Sequence, residues 1–159
     1  MVKLADSSNR KQFDMDRCDW AGPEQIYLDY HDTDWGVPEY DSRALWEKLI
    51  LDGFQAGLSW LTILKKRDNF RDAFAGFDPN IIASWGEEDV ARLLQDAGII
   101  RHRGEIEATL GNARVWQKIE QCEGFDTFLW NYIGGTPLQK LEGDISRYSS
   151  VYAFINPDF

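Results

Sequence analysis

Cysteine and histidine are scarce in this sequence, two of each in 159 residues: Cys18, Cys122, His31 and His102. That supply excludes a disulfide-dense scaffold, and a structural zinc ion with four ligands would need all four of them. Cys122 and His102 sit in the later part of the chain with no metal-like spacing. Composition therefore favours a buried free thiol at Cys18 and a surface imidazole at His31 over a complete metal site. Basic excess is also missing, since 17 Lys and Arg face 27 Asp and Glu for a net charge of -10. A nucleic-acid binder that works through one blanket basic face is excluded, but local phosphate contacts are not. Local basic clusters stand at Lys65-Lys66-Arg67 and Arg101-His102-Arg103. No charged leader and no apolar run of membrane length is found, which leads us to expect a cytoplasmic, reducing setting and no membrane partner.

What the chain does have is apolar and aromatic mass: 43% hydrophobic residues, with seven Trp, six Tyr and nine Phe. One compact domain of this length can fold without metal or disulfide. Residues 1–15 lack sustained periodicity and are expected to form a loose tail, with 16–135 as the folded body and 136–159 as an atypical end segment of the same domain. Between residues 17 and 40 the chain is rich in turn formers and aromatics, and an irregular stretch is expected. Helical patterning follows. Asp41-Ser42 caps a helix with Leu45, Leu49, Asp52 and Ala56 on one face, and a second opens at Ser59. A third carries Phe70 and Phe74 until Pro79 stops it. The acids Glu87, Glu88 and Asp89 begin another, with Val90, Leu93, Leu94 and Ala97 inward and Gly98 closing it beyond the C-cap. A long helix from about His102 to Glu120 and a short one over Phe125–Tyr132 complete an all-α body, while YSSVYAFI near the end could be a strand.

Three features suggest chemistry. The glycine hairpin in LLQDAGIIRHRGEI leaves backbone N–H groups beside Arg101 and Arg103, where a phosphate can sit, although an ordinary helical hairpin explains it about as well. Asp52 lies on an apolar helix face, so it is either a functional carboxylate with a shifted pKa or a local cap of the Asp52-Gly53 turn. The series Trp20, Tyr27, Tyr30, Trp35 and Trp60 brackets that acid. Stacking rings beside a carboxylate suit a flat cationic ligand, with core filling as the plainer alternative.

Taken together, CDW at 18–20, YLDYHDTDWGVPEYD at 27–41, LDGFQAGLSWLTILKKR at 51–67 and LLQDAGIIRHRGEIEATLGNAR at 93–114 resemble the 3-methyladenine DNA glycosylase I family. The resemblance implies an all-α helix-hairpin-helix fold and excision of 3-methyladenine flipped out of alkylated duplex DNA. It assigns Trp20, Tyr27, Tyr30, Trp35 and Trp60 to the base pocket, and places Asp52 where the family carries a glutamate, as the catalytic acid group. Lys65, Lys66, Arg67, Gly98, Arg101 and Arg103 are assigned to the DNA backbone. Chemistry needs no cofactor. Structural zinc is expected from the family, with Cys18 and His31 matching two of four ligands; no His follows position 102, so the set is incomplete. The expected partner is double-stranded DNA containing alkylated adenine, met by a monomer. A damage-binding domain that recognises the lesion without cutting is the alternative, and an acidic, aromatic-rich interaction module without a DNA role is a third reading.

Overall fold

The computed structural model describes residues 17–137, and every regular element in that span is helical. The chain opens with a 3-10 turn at Asp19–Ala21 and then forms α1 over Gln25–Thr33. This helix lies where an irregular stretch is expected from sequence. Its signal was the spacing of Tyr27, Tyr30 and His31 at i, i+3 and i+4, masked by Gly22-Pro23 on one side and Gly36-Val37-Pro38 on the other.

Helix α2 runs over Ser42–Phe54, and the Asp41 carboxylate accepts from the backbone N–H groups of Arg43 and Ala44 at 3.1 and 2.8 Å. Two orphan donors are thereby satisfied. The core face of α2 differs from the expected one: Trp46, Ile50, Leu51 and Phe54 are buried, while Leu45, Leu49 and Asp52 are half-buried on the flank. Ala56 lies past the helix end and is exposed. Bulk decides the rotation, because Trp46 and Phe54 remove more apolar area from water than two leucines and an alanine would. Asp52 is left facing a neighbouring cluster of rings instead of the core.

Ser59 caps α3, Trp60–Leu64, by accepting from Thr62 N–H at 3.2 Å, and α4 follows over Arg67–Ala73. Pro79 does not stop α4. The helix ends in a left-handed reversal in which Ala75, Gly76 and Phe77 have φ of +52°, +62° and +55°, and Pro79 instead begins α5, Pro79–Ile82. Proline suits the first position of a helix, where its missing N–H has no partner to lose. Arg43 secures the reversal by donating Nε and Nη2 to the Gly76 carbonyl at 3.1 and 2.7 Å.

Helices α6, Glu87–Gln95, and α7, Arg103–Cys122, form a hairpin, and α8 spans Phe125–Tyr132. The long α7 buries Ile106, Thr109, Leu110, Ala113 and Trp116, and packs against α5 and α6. Gly98 does not close α6. That helix ends at Gln95, with Asp96 extended at φ -80° and ψ 108°, and Ala97 is exposed. Gly98 is required for closeness rather than for a left-handed φ: an added Cβ would lie 2.9 Å from Asp96 Oδ1 and 3.1 Å from the Asn69 Cβ. The core centres on an aromatic stack in which Phe54, Phe70, Phe74 and Phe77 meet at centroid distances of 4.8 to 6.0 Å. The candidate strand at YSSVYAFI lies outside the described residues.

Candidate functional site

Local sequence brings five aromatic side chains into one group, with one carboxylate, Asp52, near its Tyr30 and Trp60 end. The 3-10 turn supplies Trp20, α1 supplies Tyr27 and Tyr30, the following turn Trp35, and the first residue of α3 is Trp60. Trp20 is the hub, 5.2 Å from Tyr27, 6.4 Å from Tyr30 and 5.2 Å from Trp35, while Tyr30 meets Trp60 at 5.5 Å. Trp35 is 44% exposed and Trp60 only 8%, so the group grades from a solvent-facing rim to a buried floor. On that floor the Trp60 indole N–H is buried and unpartnered among the described residues.

Asp52, in the last turn of α2, is 14% exposed at its side chain. Its charge reaches the rings. Burial first, and then the Asp52 carboxylate, push the Tyr30 phenol up to about 12, which keeps that hydroxyl a neutral donor and acceptor. One turn back along α2, Lys48 places Nζ 2.5 Å from Asp52 Oδ1 and 4.3 Å from the Trp60 ring centroid. Desolvation holds Lys48 below its ordinary pKa, with Asp52 acting the other way. This lysine was not among the candidate residues. The available signal was its i, i+4 relation to Asp52.

Cys18 and His31 lie together at the edge of the aromatic group: Cys18 is a free thiol as expected, though not fully buried, while His31 is tucked in rather than on the surface. Cys18 is half-buried, and the His31 side chain is 12% exposed, stacked on Trp35 at 5.5 Å. Its Nε2 accepts from Cys18 N–H at 3.3 Å, which puts the ring proton on Nδ1 for donation to Asp32 Oδ1 at 3.0 Å. Arg17 then binds Asp32 through Nε and Nη2. Both ring nitrogens are thus engaged, and among the described residues no three metal-ligating side chains come together.

The candidate phosphate-contact residues divide by their surroundings. Lys65 pairs with Glu24 at 2.7 Å, and Arg103 with Glu87 and Glu107 at 2.9 Å, all on the surface. Arg101 is exposed and forms no ion pair among the described residues. Lys66 and Arg67 are braces: Lys66 Nζ donates to the carbonyls of Ala97 and Gly98 at 3.1 and 2.9 Å, and Arg67 bridges Asp34 and Glu47 at 2.7 and 2.8 Å. The Gly98 N–H donates to Asp96 Oδ1 at 2.7 Å, so the hairpin is held from both sides. A shallow cleft of about 210 Å³ on the other flank of α1 shares only Tyr30 with the aromatic group, and its walls carry Asp29, Asp34 and Asp68. Acidic walls make it a poor place for nucleic acid, and the ring cluster is the better candidate.

A family model described as methyladenine glycosylase matches residues 20–152. The chain belongs to the methyladenine glycosylase family. Among family relatives, DNA-3-methyladenine glycosylase 1 of Escherichia coli (strain K12) is 53% identical over 124 residues, covering 77% of this chain and 66% of that protein. The chain thus matches slightly less than two thirds of that relative's length. A crystal structure of 3-methyladenine DNA glycosylase I superposes with a TM-score of 0.79 at 51% identity, over 83% of this chain and 73% of the other. A second, a tyrosine-to-phenylalanine variant of 3-methyladenine DNA glycosylase I in complex with 3-methyladenine, superposes at 0.78 with 40% identity, over 83% and 72%. All-helical architecture is therefore a property this chain shares with methyladenine glycosylases. The family match continues to residue 152, past residue 135, where an atypical end segment was expected to begin. No helix among the described residues is long and apolar enough to cross a membrane.

Proposed function

We propose that this chain removes 3-methyladenine from alkylated double-stranded DNA by hydrolysing its N-glycosidic bond, acting as a monomer. The observation that carries the proposal is Asp52, a carboxylate withdrawn from water beside Trp60 and Tyr30, in a family with a relative solved in complex with 3-methyladenine. Methylation at N3 gives the purine a positive charge and weakens its bond to deoxyribose. The enzyme has correspondingly little bond-breaking to assist. Extrusion of the base costs a few kcal/mol, less where pairing is already poor.

Inside the cluster, Trp20, Tyr27, Trp35 and Trp60 offer ring faces to the cationic base, each worth roughly 0.5 to 2 kcal/mol when desolvated. Asp52 accepts from the base edge and favours its charged form, while Tyr30, neutral throughout the working range, adds a hydroxyl. The duplex backbone is met by the exposed cations Lys65, Arg101 and Arg103 around the Gly98 hairpin, with Lys66 and Arg67 holding that surface in place. The leaving base and the attacking water need no metal or redox group, and Cys18 and His31 act as a structural pair.

Release of free 3-methyladenine from methylated DNA tests the reading. Wild type releases the base; Asp52→Asn and Trp60→Ala each lose roughly 2 kcal/mol of transition-state binding, about thirtyfold in rate. Equal release by all three chains would dismiss this pocket. Tight binding of lesion DNA without release by wild type would replace the enzyme with a damage-binding domain.

A further inference from the structure

The base pocket already contains a cation. Lys48 projects from α2 one turn before Asp52, pairs with that carboxylate at 2.5 Å, and holds its ammonium 4.3 Å from the centre of the Trp60 ring. These are the two contacts that a cationic purine needs in this pocket: a negative oxygen at its edge and an indole face. The lysine side chain is 33% exposed, so it has an open side through which to withdraw toward solvent on its four-carbon stem.

We propose that Lys48 is a tethered competitor for the cation site, a specificity-determining residue that every base must displace from Asp52 and Trp60. The inference rests on reading the aromatic cluster as the base pocket. Its consequence is a threshold. A ligand that cannot replace the lost ion pair and ring contact leaves the ammonium in place, whereas a flat cation substitutes for both at once. Neutral purines are thereby filtered out, and the pocket's carboxylate is never left alone in the empty protein, where its partial burial would disfavour an uncompensated charge. The filter also reduces affinity for the cation itself, since displacement offsets part of the binding.

The test uses a permanent flat cation, N-methylquinolinium, and its neutral counterpart quinoline, titrated against the full chain near pH 7.5 by tryptophan fluorescence. Lys48→Met is expected to bind N-methylquinolinium about five- to tenfold more tightly than wild type, with quinoline changed less than twofold; Lys48→Arg, which keeps the cation, stays near wild type. Equal or weaker cation binding by Lys48→Met overturns the proposal, because the lysine would then be supporting the site instead of competing for it. Should Lys48→Met fold poorly, wild type alone decides by NMR. The ring current of Trp60 shifts the Lys48 ε-methylene upfield in the empty protein, and saturation with N-methylquinolinium returns it to the random-coil position. An ε-methylene still upfield at saturation overturns the proposal. Failure of 3-methyladenine release leaves these readouts intact, so the lysine filter and the enzymatic reading fall separately.

Discussion

Replacing Arg67 with alanine separates the two roles available to a basic residue beside a DNA-facing surface. Its guanidinium bridges Asp34 at 2.7 Å and Glu47 at 2.8 Å, and joins α4 to α2 and to the turn after α1. Glu47 is the more buried partner, 13% exposed, and it retains Arg71 at 2.8 Å after the change. Losing one of two charge-assisted bonds to a buried carboxylate costs about 1 to 2 kcal/mol, and the more exposed Asp34 pair adds at most about 0.5. A total near 2 kcal/mol lowers Tm by about 4 to 8 °C in a domain of this size. Calorimetry measures that shift, and DNA affinity across a salt series measures phosphate contacts, each worth about 0.9 in the log-log slope. The expected result is a lower Tm with the slope unchanged, while Arg101→Ala keeps Tm and lowers the slope by about 0.9. An Arg67→Ala protein with wild-type Tm and a reduced slope would refute the bracing argument.

Two further outcomes follow from the packing and the charges. Phe74 is fully buried, with Phe54, Phe70, Phe77 and Trp85 within 6.1 Å, so Phe74→Ala should cost about 3 to 5 kcal/mol by urea unfolding. A loss under 1 kcal/mol would mean that the aromatic stack is not the core. Asp32 is held at about 2, against an ordinary 3.8, first by its hydrogen bonds to Arg17 and then to His31. A depressed carboxylate stabilises the fold above its unfolded pKa, and that stability fades as pH falls from about 4 through 2. The Tm difference between wild type and Asp32→Asn should therefore be constant above pH 4 and close below it, as thermal melts across pH 2 to 6 would show; a gap that persists at pH 2 contradicts the assignment.

Legibility in the sequence followed the kind of force at work. Helix α7 was readable because Ile106, Leu110 and Ala113 repeat with helical spacing and all three are buried. The aromatic series and Asp52 were also readable, since rings and an acid in an apolar pattern are conspicuous. Features that depend on partners distant in the chain were not. Which face of α2 turns inward depends on the bulk of Trp46 and Phe54 relative to Leu45 and Leu49, a comparison that spacing alone does not make. The left-handed run through Ala75, Gly76 and Phe77 is invisible because two of its residues ordinarily avoid that region, and Arg43, 33 residues before Gly76, holds it. A lysine within a helix reads as solvent-facing, so the i, i+4 spacing of Lys48 to Asp52 pointed only to a surface ion pair, and its place over the Trp60 ring depends on where α3 packs.

The net charge of -10 illustrates how a sum can mislead about a surface. Many of the acids are committed to holding the frame: Asp41 and Asp78 cap helices, Glu47 receives Arg67 and Arg71, Asp32 receives Arg17 and His31, and Asp96 closes the hairpin onto Gly98. Each such carboxylate has its lone pairs directed into the protein, and its field beyond that point is partly cancelled by the donor that it binds. Arg101, by contrast, is exposed beside the hairpin and has no ion-pair partner among the described residues. A phosphate approaching that point meets a local field set within about one Debye length, some 8 to 10 Å at ordinary ionic strength, so distant acids contribute little. An acidic chain can therefore hold duplex DNA at one edge. The same argument requires DNA binding through this edge to be weak, with a salt slope set by the few cations there, so that discrimination would fall to the proposed pocket.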